Sequence, residues 1–117
     1  MVSAPAARRG GRVPLCRVGE LAPGEMRRVV REDGPPLAVY NVDGVFHATD
    51  DTCTHARASL TEGDLDGCEV VCPVHMGAFD VRSGEPLCFP VTRALRTYEV
   101  AVEDGVVWAL DSAPARS

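Results

Sequence analysis

The chain has 117 residues, enough for one domain with an ordinary core and too few for two. Apolar residues make 45% and charged residues 25%, a globular balance that argues against a disordered chain. The net charge is −5, with twelve arginines and no lysine, and its distribution is uneven. Residues 1–31 carry seven arginines and two glutamates; residues 32–117 carry five arginines and fifteen acids. A nucleic-acid binder would need a basic body, so that class is set aside. The apolar runs are too short for a transmembrane helix. Five cysteines, an odd number, with no apolar leader after Arg8-Arg9, speak against a secreted disulfide scaffold and for a cytoplasmic protein.

In chain order, residues 1–12 (MVSAPAARRGGR) read as a disordered basic arm. Val13 to Val18 is a first strand, and Met26 to Arg31, after the turn Ala22-Pro23-Gly24, a second. Leu37 to Val42, Asp43-Gly44 and Val45 to Thr49 form a hairpin with a two-residue Asp-Gly turn. From about residue 50 to 90 the pattern becomes irregular and rich in Gly, Pro and Asp. It returns at Thr97 to Glu103, where Tyr98, Val100 and Val102 alternate with polar neighbours. Asp104-Gly105 turns that strand into Val106 to Leu110, and residues 111–117 are a flexible tail. Short strands between turn residues, with no sustained helical period, predict an all-β antiparallel sandwich or small barrel, a single domain over 13–110.

The irregular segment holds four of the five cysteines and two of the three histidines. Loops held by a rigid scaffold are where function concentrates. Cys53-Thr54-His55 and, after sixteen further residues, Cys72-Pro73-Val74-His75 have metal-ligand spacing. Two thiolates and two imidazoles admit two readings: a tetrahedral zinc site, or a two-iron, two-sulfide cluster with cysteines on one iron and histidines on the other. Each pair mixes a Cys with a His, whereas a zinc finger pairs like with like. A mixed pair suits a dinuclear cluster between two loops, so iron is favoured.

Cys-x-His followed by Cys-Pro-x-His-x-Gly-x-Phe is the Rieske motif. The stretch CTHARASLTEGDLDGCEVVCPVHMGAFDVRSGEPLCFPVT resembles the Rieske ferredoxins of bacterial ring-hydroxylating dioxygenases, the naphthalene and biphenyl types especially, over roughly residues 37–110. The resemblance implies the Rieske fold, a β-sandwich base with a cluster-binding subdomain inserted at about 48–88. It implies one [2Fe–2S] cluster, with Cys53 and Cys72 on one iron and His55 and His75 on the other. It implies an electron carrier, not an enzyme, between a flavoprotein NAD(P)H reductase and a terminal oxygenase; a monomer is the default expectation.

Departures from relatives sharpen this. Respiratory Rieske proteins clamp the loops with a further disulfide; Val74 and Ala56 to Ala58 stand in those places here. High-potential relatives place hydroxyls where Gly77 and Phe79 stand, and hydrogen bonds to cluster sulfur raise the potential. Their absence predicts a value near the bottom of the Rieske range, about −150 mV. Ala56 takes the place of the usual Gly after the first histidine. Protonation of the ligand imidazoles should make the potential fall as pH rises.

Cys16, Cys68 and Cys88 are then spare and read as small buried or half-buried side chains, and His47 as a structural or surface histidine. Glu62, Asp64, Asp66 and Glu69 read as a solvated turn, or as a surface that orients a basic partner. Met76 suits a small apolar docking tip. An oxygenase would need a further iron held by two histidines, and only His47 remains. Two alternatives stay open: a small Rieske-like subunit of a nitrite-reductase-type enzyme, and a structural zinc module.

Overall fold

A computed structural model describes residues 11–32, 34–54, 57–74, 76–88 and 93–110. The arm over 1–10, the tail over 111–117 and both predicted histidine ligands lie outside the described residues. Among the described residues, ten strands run in the order β1 (Arg12–Arg17), β2 (Met26–Val29), β3 (Leu37–Val42), β4 (Val45–Asp50), β5 (Asp64–Asp66), β6 (Glu69–Val71), β7 (Ala78–Asp80), β8 (Pro86–Cys88), β9 (Thr97–Glu103) and β10 (Val106–Leu110). Short 3-10 turns cover Val18–Glu20 and Leu60–Glu62. Two antiparallel sheets result, β1-β10-β9-β4-β3-β2 and β5-β6-β7-β8.

Both predicted hairpins form. Asp43 and Gly44 have φ of 53° and 92°, and Asp104 and Gly105 have 53° and 77°. Two successive positive φ values make the turn twist match the strands it joins. Strand β2 stops at Val29, two residues short of the sequence expectation. Val29 pairs with Leu37, the first residue of β3, so the ladder ends there. Arg31 instead donates from Nε to the Pro35 carbonyl at 2.8 Å. The alternation in β9 also fades: Tyr98 is buried, but Val102 is half exposed at the uncovered strand end.

The segment over 50–90 is not irregular throughout. Four three-residue strands lie in it, each too short to show a period in sequence. Of the four acids read as a solvated turn, Glu62 ends the 3-10 turn and three sit on a hairpin: Asp64 and Asp66 on β5, Glu69 on β6, with Gly67-Cys68 turning between them.

Two apolar clusters hold the fold. The first contains Val13, Leu15, Leu37, Val39, Ala48, Tyr98 and Val107, from both halves of the long sheet. Strands β4 and β9 pair over only Ala48/Tyr98 and Thr49/Thr97, and the sheet folds over its core at that short junction. The second cluster contains Ala38, Tyr40, Cys53, Leu60, Val70, Cys72 and Phe79. Strand β3 is common to both: Leu37 and Val39 point one way, Ala38 and Tyr40 the other, and all four are fully buried. A strand buried on both faces reads as a continuous apolar run, here Leu-Ala-Val-Tyr.

Candidate functional site

Two loops leave the second cluster. The first follows β4, and Thr52 and Ser59 pair across it in antiparallel fashion. Cys53 N–H donates to the Ala58 carbonyl at 3.0 Å, and Leu60 N–H to the Asp51 carbonyl at 2.8 Å. The loop is therefore cross-tied at its root, with Asp51 and Cys53 on one limb and Ala58 and Leu60 on the other. The second loop joins β6 to β7. Cys72 N–H donates to the Gly77 carbonyl at 2.7 Å and Met76 N–H to the Cys72 carbonyl at 3.0 Å. So tight a closure takes Met76 into the left-handed region, φ 58°.

Arg93 touches the first loop and the end of β8 touches the second. The Thr54 hydroxyl donates to the Arg93 carbonyl at 2.8 Å. The Cys88 thiol points at the Met76 carbonyl, 3.8 Å away. Cys88 is exposed on β8, unlike buried Cys16 and half-buried Cys68; burial pushes the Cys16 thiol up, against the nearby Arg27 charge and with that of Glu20.

Of the four predicted ligands, the structure describes Cys53 and Cys72. Both are buried, at 4% and 0% exposure, and both belong to the second cluster, walled by Leu60, Val70 and Phe79. No three His, Cys, Asp or Glu side chains converge among the described residues, and His55 and His75 are outside them. The two sulfurs are soft donors in a dry wall at the base of two loops, each with a histidine two or three residues from its cysteine. That fits the donor set of an iron–sulfur cluster. Gly77 is buried and Phe79 fully so, and neither carries a hydroxyl.

Val74 and Met76 are exposed on the second loop, at 58% and 68%, and Leu87 on β8, at 47%. His47 is half-buried on β4, beside Arg82 and Asp80 and away from the loops. Sequence reasoning missed Asp51, a fully buried carboxylate two residues before Cys53. The one signal was its position, the second of two acids closing a predicted strand ahead of a polar Ser59-x-Thr61.

Comparison with known proteins agrees with this arrangement. The Rieske [2Fe–2S] domain family matches residues 11–99. The chain is 49% identical to ferredoxin CarAc of Metapseudomonas resinovorans over 94 residues, 80% of this chain and 88% of that one. It is 46% identical to the ferredoxin component of the p-cumate 2,3-dioxygenase system of Pseudomonas putida, over 82% of each chain. A solved complex of reduced oxygenase and oxidised ferredoxin in carbazole 1,9a-dioxygenase contains a chain 47% identical, with a TM-score of 0.80, covering 83% of this chain and 99% of that one. A Mycobacterium tuberculosis protein described as a putative NADH-dependent nitrite reductase small subunit, 24% identical over 88% of this chain and 96% of its own at a TM-score of 0.77, shares the fold alone. On its sheets, its paired loops and this likeness, the chain belongs to the Rieske [2Fe–2S] domain family, and its relatives include ferredoxin components of dioxygenase systems.

Proposed function

We propose that the chain carries single electrons from a flavin-dependent NAD(P)H reductase to a terminal ring-hydroxylating oxygenase. It does so as a cytoplasmic monomer with one [2Fe–2S] cluster, held by Cys53 and Cys72 on one iron and His55 and His75 on the other. Such a cluster, when bound, takes up and gives back one electron at a time. The residues around it do the rest. Leu60, Val70 and Phe79 keep water from the two sulfurs. The backbone ties at Cys53/Ala58 and Cys72/Gly77 hold the two loops in shape. Phe79 and Gly77 give no hydroxyl to cluster sulfur, which keeps the potential low enough to accept electrons from a nicotinamide-linked reductase. Exposed Val74, Met76 and Leu87 offer a small apolar patch of the kind used in brief redox encounters, which bury less than about 1,200 Å².

The observation that carries this reading is the burial of Cys53 and Cys72 in one apolar cluster at the roots of two histidine-bearing loops. A nitrite-reductase subunit role has only a shared fold behind it. The test is direct. Purified protein should be reddish-brown, with two irons and two acid-labile sulfides per chain, and a midpoint potential of about −150 mV. A colourless zinc protein, or a clearly positive potential, overturns the proposal.

A further inference from the structure

Asp51 has 1% exposure and four polar partners. Its Oδ2 accepts from the Ser59 hydroxyl at 2.6 Å. Its Oδ1 accepts from the Thr61 N–H at 3.1 Å and the Thr61 hydroxyl at 3.0 Å. Arg28, on β2, brings its Nε within 3.2 Å of Oδ2. The Ser59 and Thr61 hydroxyls are themselves 2.9 Å apart. Asp51 also has a main-chain link on each side: its N–H donates to the Pro36 carbonyl at 2.9 Å, and its carbonyl accepts from Leu60 at 2.8 Å.

Asp51 lies on the outgoing limb of the first loop, Ser59 and Thr61 on the returning limb, and Arg28 on the base sheet. One carboxylate therefore ties both limbs together and fastens them to an edge strand outside the loop. Its immediate neighbour Asp50 points elsewhere and accepts from the Tyr98 hydroxyl at 2.6 Å. The two acids thus divide the work, Asp50 fixing β4 to β9 and Asp51 fixing the loop. Burying a carboxylate is costly without such partners, so the site tolerates little change.

We infer that Asp51 is a positioning residue for the cluster: with Ser59, Thr61 and Arg28 it sets the shape of the loop carrying Cys53 and His55, and so the cluster's spectroscopic signature and retention. This rests on the ferredoxin reading above. Ser59→Ala and Thr61→Val each remove one hydroxyl from the returning limb, and Asp51→Asn keeps the size while removing the charge that faces Arg28. Val107→Ala, in the first core, serves as a control that loosens the fold away from the loop. The measurements on the cluster-loaded protein are the electron paramagnetic resonance line shape of the reduced state, the midpoint potential and the rate of bleaching by an iron chelator. Global stability is followed alongside by urea unfolding.

Ser59→Ala and Thr61→Val should broaden or shift the resonance and bleach at least fivefold faster than Val107→Ala at an equal loss of global stability. Asp51→Asn should do the same more strongly. If all three keep the native line shape and potential, and bleach no faster than Val107→Ala at matched stability, the inference is overturned. If Asp51→Asn fails to fold, the two hydroxyl variants decide. A native protein with no two-iron signal at all would instead overturn the ferredoxin reading.

Discussion

His47 is one residue whose environment makes a prediction. Burial, and then the Arg82 guanidinium, disfavour its protonated form, while Asp80 only partly offsets them, so its pKa is lowered from 6.5. The unfolded chain therefore binds the proton more readily than the folded one, and stability falls as pH drops through about 6.5 toward the folded value. Urea midpoints measured between pH 8 and pH 5 should decline more in the native protein than in His47→Gln. Asp80 acts in a different window. The Arg82 side chain, which bonds both its oxygens at 3.1 and 2.8 Å, holds its carboxyl below the ordinary range. Its stabilising effect is present above the unfolded value and is lost only in acid, as pH falls through the folded one. At this scale the sequence was informative about chemistry and silent about burial. Cys53 and Cys72 declared themselves by spacing, but beyond its position after a predicted strand the sequence does not separate buried Asp51 from exposed Asp64 or Asp66. The difference lies in partners on β2 and across a loop, and local sequence contains neither.

At the scale of elements, turns were legible and the short strands were not. Asp-Gly requires positive φ at both positions, so it located both hairpins and set the bounds of β3, β9 and β10. Strands β5 to β8 are each three residues long and owe their form to one another. Gly63 shows how closely that sheet fits the ligand loops. A Cβ there would stand 1.9 Å from the Val71 carbonyl oxygen and 3.2 Å from Cδ of Pro73, the neighbour of Cys72. The Gly63→Ala protein should lose about 1–3 kcal/mol, the usual cost of overpacking, in urea titration. Visible absorbance should bleach faster too, because backbone is what has to move. If absorbance is retained as in the native protein, the strain is not transmitted through Pro73.

For the whole molecule, the two clusters share β3, which makes independent melting of base and ligand loops unfavourable. Phe79, fully buried in the same cluster as Cys72, is its largest buried side chain after Tyr40. Phe79→Ala should cost about 3–5 kcal/mol, a large part of a domain's typical 5–15. Heating that protein should bleach the visible band and collapse the far-ultraviolet dichroism in a single step at a lowered midpoint. Two separated steps would show that the ligand loops melt on their own. The sequence suggested the sandwich through its alternating strands, and the insert through the motif. That the two share a strand was not readable, because a run of four apolar residues does not say how many faces are covered.

The insert leaves and rejoins the base sheet at neighbouring points. Thr49 pairs with Thr97, and the Asp50 N–H donates to the Arg96 carbonyl at 3.0 Å. Topologically, residues 51–96 are an oversized connection in a β4–β9 hairpin, and lengthening a connection costs only a logarithmic entropy. Different passenger segments could be grafted at that gate without rewiring the scaffold. Excision is another matter. Replacing the passenger by a tight turn would bare Ala38 and Tyr40 to water, so a stripped scaffold would need polar residues at both positions to stay soluble. The gate accepts exchange more readily than deletion.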